Sequence, residues 1–392
     1  VTKRLSPVLI FTLALGIGII VANLYYLQPL LHQVRSDFHI STVQTSALVT
    51  FTQVGYATGL AFVLPLGDLI ARKRLIAAIF FVAASAMLAA SFIHAYTAFA
   101  VITVVIGLTS VGGQVIIPFV ADLTPAESRG RTVARLMSGL LMGILLSRTF
   151  SGILAESIGW RGVYQSAAAL LATAGLFFSV ILPAEEKRPH VPYRRLVASS
   201  FSLLREFSTL RRRAWFGAVV FAAFSALWST LAFLLSGAPF HYSNVTIGLF
   251  GLLGVGGVMA ANLAGRHADQ NRHRLSTQVA SLCIVAAFAL LWLSRSNVWG
   301  ITAAIFLLDV GVQGMQITNQ VLIFALAPEK RSRINSAYMV CYFTGGAVGS
   351  LLAGFVYSRF GWTGVCVLGL LLGVLLVVPS VLWRDEAALT TS

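Results

Sequence analysis

The sequence predicts an all-α membrane protein with twelve transmembrane helices in two pseudo-symmetric six-helix bundles. Three observations predict it. Apolar runs long enough to cross a bilayer recur along the whole 392 residues, basic residues alternate in placement from one connecting segment to the next, and the second half of the chain repeats features of the first.

The apolar runs follow from composition. Hydrophobic residues make up 57% of the chain and charged residues 10%, far from the roughly one quarter charged of soluble domains. Runs of about 20 apolar residues match a hydrocarbon layer of roughly 30 Å when helical. The spans are expected to begin near Pro7, Gln44, Arg74, Thr97, Val133, Gly162, Ala214, Val245, Leu275, Val298, Asn335 and Thr363. The first is read as a membrane helix and not a signal peptide, because it is long, lacks a clear small-residue cleavage site and is followed by similar spans. Cys283, Cys341 and Cys366 fall in apolar spans as small hydrophobic side chains.

A formal charge of +15 raises the question of nucleic acid, and its distribution argues against that partner. With a cytoplasmic N-terminus, all but five of the 28 Lys and Arg lie in segments on the inner side. The outer loops hold only Arg35, Arg161, Arg295 and Arg359, and Arg148 lies within a span. This is the positive-inside pattern, with both termini in the cytoplasm.

The repeat has an offset of about 201 residues. Gly152–Gly162 (GILAESIGWRG) answers Gly354–Gly364 (GFVYSRFGWTG), and Leu123-Thr124-Pro125 answers Leu326-Ala327-Pro328. Asp68 before Arg72-Lys73-Arg74 answers Asp269 before Arg272-His273-Arg274. The expected organisation is an N-terminal bundle over 1–183, a basic cytoplasmic linker over 184–213 and a C-terminal bundle over 214–392. The linker, with Phe201, Leu204 and Phe207 among basic residues, reads either as an amphipathic helix on the anionic inner leaflet or as a solvated connector.

These features resemble the major facilitator superfamily, and the resemblance covers nearly the whole chain. The motif between that family's second and third helices is matched at Asp68, Arg72 and Lys73, while Leu64, Leu69 and Ala71 depart from it. The second copy keeps Gly265, Asp269 and Arg274. The resemblance implies two six-helix bundles around a central cavity and a cytoplasmic gate of Asp68, Arg72, Asp122 and Asp269, in which Asp68 lies near the N-terminal end of a helix in the other half and Arg72 pairs with an acid such as Asp122. Proton-driven drug and metabolite exporters of the family carry a glycine motif in the fifth helix. Gly130, Gly139 and Gly143 fit it, whereas Ile144 and Ser147-Arg148 do not, and Thr103 stands where such exporters often have Arg. The stretch Asn23–Leu31 (NLYYLQPLL) is similar to a bacterial exporter branch related to sugar-efflux carriers.

Of the 13 acidic residues only Asp309 lies deep in a span. Counting from Val298 places it roughly 16 Å from the outer boundary, near the midplane. An ionised carboxylate there needs a proton, a partner or a watery cavity, so it suits proton coupling. Arg148, in the outer half of the fifth span, is its candidate partner or an anchor for a substrate anion. The plainer readings are a snorkelling Arg148 and a structural Asp309.

Gln313, Gln316 and Gln320 share a helical face with Asp309, and Thr103, Gly107, Ser110 and Gln114 repeat that spacing in the fourth span. In the resembled fold the first, fourth, seventh and tenth helices line the cavity, which adds Asn23, Tyr26, Ser225 and Trp228 as substrate contacts. Helix packing is the competing explanation for these groups. Gly254, Gly256 and Gly257 lie in an apolar span and are no nucleotide loop.

The expected function is a secondary active transporter, a proton-coupled antiporter exporting a small organic solute or drug across a bacterial inner membrane. A uniporter or importing symporter is the alternative, and a membrane-embedded enzyme or sensor is a third class. No zinc-type His-Glu-x-x-His motif, ATP-binding loop or intramembrane carboxylate pair supports the enzyme. The expected partners are protons, a small-molecule substrate and the lipid bilayer. No cofactor, metal or nucleic acid is expected, and the protein is expected to be monomeric.

Overall fold

A computed structural model of the protein describes residues 6–183, 192–254, 273–327 and 330–383, and among them every regular element is helical. Nine helices among the described residues are long and apolar enough to cross a membrane. Two of them are double. α7 (Ala126–Ile181) contains Gly159 at φ 71° and α14 (Arg331–Leu382) contains Gly361 at φ 59°, each a single non-helical residue. Those two glycines stand at corresponding places in the sequence repeat, so the repeat is visible in the backbone as well. The eighth expected span begins in α11 (Asn244–Leu249) and the 3-10 turn Phe250–Gly254, then leaves the described residues.

Several spans are interrupted near their middle. The first comprises α1 (Pro7–Ala22) and α2 (Leu27–Phe38). Pro29 explains the gap, because it offers no N–H and its ring crowds the carbonyl four residues earlier; the chain turns through Asn23–Tyr26, with Gln28 N–H donating to the Tyr25 carbonyl at 3.1 Å. The second, α3 (Thr42–Thr58), ends in a π turn over Gly59–Val63 and a 3-10 turn over Leu64–Asp68. The third is α4 (Arg72–Phe92). The fourth divides into α5 (Tyr96–Thr109) and α6 (Gly112–Asp122) ahead of a glycine pair. The basic linker contains α8 (Tyr193–Glu206), with Leu203 buried and Arg194, Arg195 and Arg205 exposed. The seventh span divides into α9 (Ser208–Trp228) and α10 (Leu231–Ser236). α12 (His273–Leu293) and α13 (Val298–Leu326) are continuous.

The chain forms two compact units. The first comprises Val1–Ser41, Phe51–Ala198 and Tyr242–Leu252, and the second Thr42–Thr50, Ser199–His241 and Leu253–Ser392, each over its described residues. In the first unit α1 and α7 run side by side at backbone contact: a side chain on Gly139 would strike the Ala14 carbonyl, and one on Gly143 the Gly18 main chain. Small residues permit this approach, and dispersion over the contact replaces the hydrophobic drive that lipid does not supply. The second unit repeats the arrangement, with Gly345 against Ala218 and Gly349 against Ala222.

Within the first unit, Thr149 on α7 donates to the Gly248 carbonyl at 3.0 Å, and Gly152 abuts Asn244. Within the second, Ser350 on α14 donates to the Ser46 carbonyl at 3.1 Å, Thr50 donates to the Ala347 carbonyl at 3.2 Å, and Gly354 abuts Ser46. Each unit thus takes in a short helical end from the other half of the sequence, at corresponding positions of the repeat.

Candidate functional site

Asn23, Tyr26, Ser110, Gln114, Ser225 and Trp228 lie at helix interruptions of the first, fourth and seventh spans or within about one turn of them. Such breaks release backbone groups from the i to i−4 ladder and are tolerated at membrane depth where protein or a cavity satisfies them. In the first unit Asn23 and Tyr26 bound the break between α1 and α2, and both are buried. Asn23 is 5% exposed, and neither of its amide atoms has a hydrogen-bond partner among the described residues. A buried amide is seldom left so, and the arrangement suits an incoming polar group or water. At the fourth-span break the buried Ser110 hydroxyl donates to its own helix, at the Ile106 carbonyl (2.7 Å), and Thr103 does the same at Ala100 (2.7 Å). Gln114 is half-buried and hydrogen-bonds the Tyr56 hydroxyl.

Tyr26 also lines a groove of about 800 Å3 along the α1–α7 pair. Pro7 and Arg135 lie at one end and Tyr26, Ser147 and Phe150 at the other, with Phe11, Leu15, Met142 and Leu146 between. Its surface is largely apolar, so it fits an organic body better than a highly hydrated one.

Arg148 is buried in the first unit. Its Nε donates to Gln28 Oε1 at 2.7 Å, and its guanidinium lies 4.8 Å from the centre of the Tyr25 ring. Gln28 and Tyr25 belong to the same break that positions Asn23. Neither is assigned a role by charge or periodicity; the signal for them is a polar side chain and a proline in an otherwise apolar stretch.

In the second unit Asp309 sits within the unbroken α13 and is 5% exposed. Gln313, Gln316 and Gln320, on the same face, are half-buried. Gln316 is engaged: its Oε1 accepts from the Tyr338 hydroxyl at 2.6 Å and its amide meets the Met339 sulfur at 3.7 Å. Asn319 donates to the same hydroxyl at 3.2 Å. Ser225 and Trp228 are buried beside the α9–α10 break. Trp228 continues an aromatic group in which Phe221 stacks on Tyr342 at 4.1 Å and Phe224 lies 6.0 Å from Trp228. Tyr338 and the aromatic group carry no sequence signal beyond apolar context.

Arg72 and Asp122 come together in the first unit, Nη1 to Oδ2 at 2.8 Å. Arg72 is buried and Asp122 is 61% exposed at its side chain. Asp68 is exposed at the end of its 3-10 turn, and Asp269 lies outside the described residues. Outside the membrane, Tyr193 donates to the Phe62 carbonyl at 2.7 Å, and desolvation raises its phenol pKa above the ordinary value. Among the described residues no cluster of His, Cys, Asp and Glu could hold a metal ion.

The fold is shared with solved transporters. A bacterial homologue of the human lysosomal transporter Spinster, in an inward-facing unoccupied conformation, superposes with a TM-score of 0.76 at 14% identity, covering 95% of this chain and 94% of that one. The D-xylose–proton symporter superposes with a TM-score of 0.74 at 15% identity, covering 97% and 99%. In sequence, the transporter YgaY of Escherichia coli (strain K12) is 39% identical over 390 residues, 98% of each chain. The transporter SCO4007 of Streptomyces coelicolor is 34% identical over 357 residues, 90% of this chain and 82% of the relative. The sequence profile of the Major Facilitator Superfamily matches residues 13–350 and 294–392. Long apolar helices, the paired glycine breaks and these likenesses together make the chain a multi-pass membrane transporter that belongs to the Major Facilitator Superfamily.

Proposed function

We propose that the protein is a proton-coupled antiporter that exports a small organic solute or drug by alternating access. The observation that carries this reading is Asp309: a carboxyl group 5% exposed in the middle of an unbroken apolar helix. Its charged form is costly there, so proton uptake and release change the energy of the state that holds it. Arg148, held by Gln28 and Tyr25, is the second buried charge assigned to the coupling. Asn23, Tyr26, Ser110, Gln114, Ser225, Trp228, Gln313, Gln316 and Gln320 are the proposed substrate contacts. The unpartnered Asn23 amide supports them most directly, and the apolar α1–α7 groove supports an amphipathic solute. Asp68, Arg72, Asp122 and Asp269 form the proposed cytoplasmic gate. The proposed setting is a monomer in a bacterial inner membrane, in keeping with the organisms of its relatives.

Proteoliposomes with an imposed pH gradient test the proposal. The intact protein moves solute against its gradient with opposite proton flow, and Asp309→Asn loses the driven transport but keeps exchange. Driven transport that survives Asp309→Asn rejects the role. The departures at Ile144, Ser147 and Arg148 from the exporter glycine motif favour a second reading, import by symport or uniport. Proton flow in the same direction as solute, or none, supports that reading.

A further inference from the structure

The groove along α1 and α7 carries charge at one end only. Arg135 lines it at the same end as Pro7 and is exposed. Arg131, one turn earlier on the same face of α7, is exposed as well. From Arg135 to Phe150 at the other end the wall runs for about 22 Å of helix. Between them Phe11, Leu15, Met142 and Leu146 present exposed apolar side chains. The two wall hydroxyls are already engaged: Ser138 donates to the Ala134 carbonyl at 3.0 Å and Ser147 to the Ile144 carbonyl at 2.7 Å. No acidic side chain lines the groove among the described residues. An occupant therefore meets a cation at one end and apolar wall along most of its length.

Helix packing does not require that cation. The second unit repeats the close approach, with Gly345 against Ala218 where the first has Gly139 against Ala14. Four positions before the glycine stands Arg135 in the first unit and Cys341 in the second. The repeat keeps the small residue and not the charge. Nor does orientation in the bilayer require it, since a topogenic charge needs only a connecting segment, and Arg135 lies just inside the fifth span, expected to begin near Val133.

We propose that the groove takes a single-chain amphipathic anion, its chain lying along α1 and α7 and its acidic head at Arg135, and that this is the class of solute the protein exports. The proposal rests on the export reading above and specifies its solute. The volume of about 800 Å3 falls within the range of small-molecule sites, ~300–1,000 Å3. The charged end lies on the side of the basic connecting segments, where an exporter loads. The apolar end reaches Tyr26, at the α1–α2 break that holds the unpartnered Asn23 amide, so the groove leads into the proposed transport site.

The test uses the full-length protein in phosphatidylcholine nanodiscs with radiolabelled decanesulfonate, whose head stays charged and does not cross lipid unaided. Empty nanodiscs set the background. Saturable binding is expected, with little competition from methanesulfonate, which has no chain, or from decyltrimethylammonium, which has the opposite charge. Arg135→Gln is expected to weaken binding about fivefold, the effect of one basic side chain near a membrane surface. Arg135→Glu should reverse the preference toward decyltrimethylammonium, and Leu146→Trp, which fills the groove, should weaken both ions. Arg194→Gln, an equal charge change in the linker helix, should leave binding unaltered, and thermal midpoints check that each variant folds. In proteoliposomes without a pH gradient, Arg135→Gln and Leu146→Trp should slow decanesulfonate exchange. Full competition by methanesulfonate, equal binding of the two decyl ions, or equal losses in Arg135→Gln and Arg194→Gln overturn the site. Binding without exchange assigns the groove to a resident membrane amphiphile and overturns the solute class. Exchange that no pH gradient can drive refutes proton coupling and supports the solute class, so the two failures are separable.

Discussion

If Asp309 is the coupling group, one carboxyl buried at mid-span sets the stoichiometry. On that reading one titrating group exchanges one proton per solute, and the thermodynamic ceiling follows. One pH unit is worth about 1.4 kcal/mol, which is tenfold in concentration. With membrane potential clamped at zero by potassium and an ionophore, a gradient of one pH unit should therefore hold solute at a ratio of about 10, and two units at about 100. The assay is radiolabelled or fluorescent solute retained by proteoliposomes at steady state, measured over a series of imposed gradients. A slope of two decades per pH unit would mean a second coupled proton and refute the single-site argument. A ratio that stays at one in the intact protein, with exchange still active, would refute coupling altogether. Asp309→Asn should give that flat response while preserving exchange, because Asn keeps the shape and removes only the titration.

The other predictions concern what holds the site. Tyr338→Phe deprives Asn319 and Gln316 of their shared hydroxyl; at about 1–2 kcal/mol it should lower the detergent melting temperature by a few degrees, and an unchanged melt would contradict the tie. Gly159→Ala and Gly361→Ala meet nothing within 4 Å, so their cost is backbone strain at positive φ alone. Each should lose roughly 1–3 kcal/mol, read as matched drops in thermal midpoint. Gly139→Leu forces a side chain into the Ala14 main chain, and should abolish the monodisperse peak in size-exclusion chromatography, where a normal peak would show that α1 and α7 can separate. Arg72→Gln should cost well under 1 kcal/mol, since Asp122 is mostly in water; its effect belongs in the ratio of inward to outward accessibility, measured by cysteine labelling.

The long helices among the described residues were legible because an apolar run of bilayer length has few other uses. Asp309 was legible by the same count. The interruptions at Asn23–Tyr26, Ser110–Val111 and Ser229–Thr230 were not, since hydropathy continues across them. Only Pro29 and the Gly112-Gly113 pair signal a break locally. Arg213 reads in sequence as one more basic residue of the linker, and its burial depends on Thr277 and the end of α14, both distant in the chain. The repeat announced a duplicated architecture but not that residues 42–50 and 242–252 pack with the opposite half. That choice is made by helix ends meeting Gly354 and Gly152, a tertiary effect with no local pattern. The linker helix was one of two open readings, and its alternating basic and apolar residues do form a helix.

The single-residue reversals at Gly159 and Gly361 leave no irregular connecting segment between the helix that precedes each glycine and the helix that follows it. An antibody, a protease or an inserted reporter has nothing to grip at those two corners. The basic segment joining the halves has far more length, and is the better place for an engineered handle.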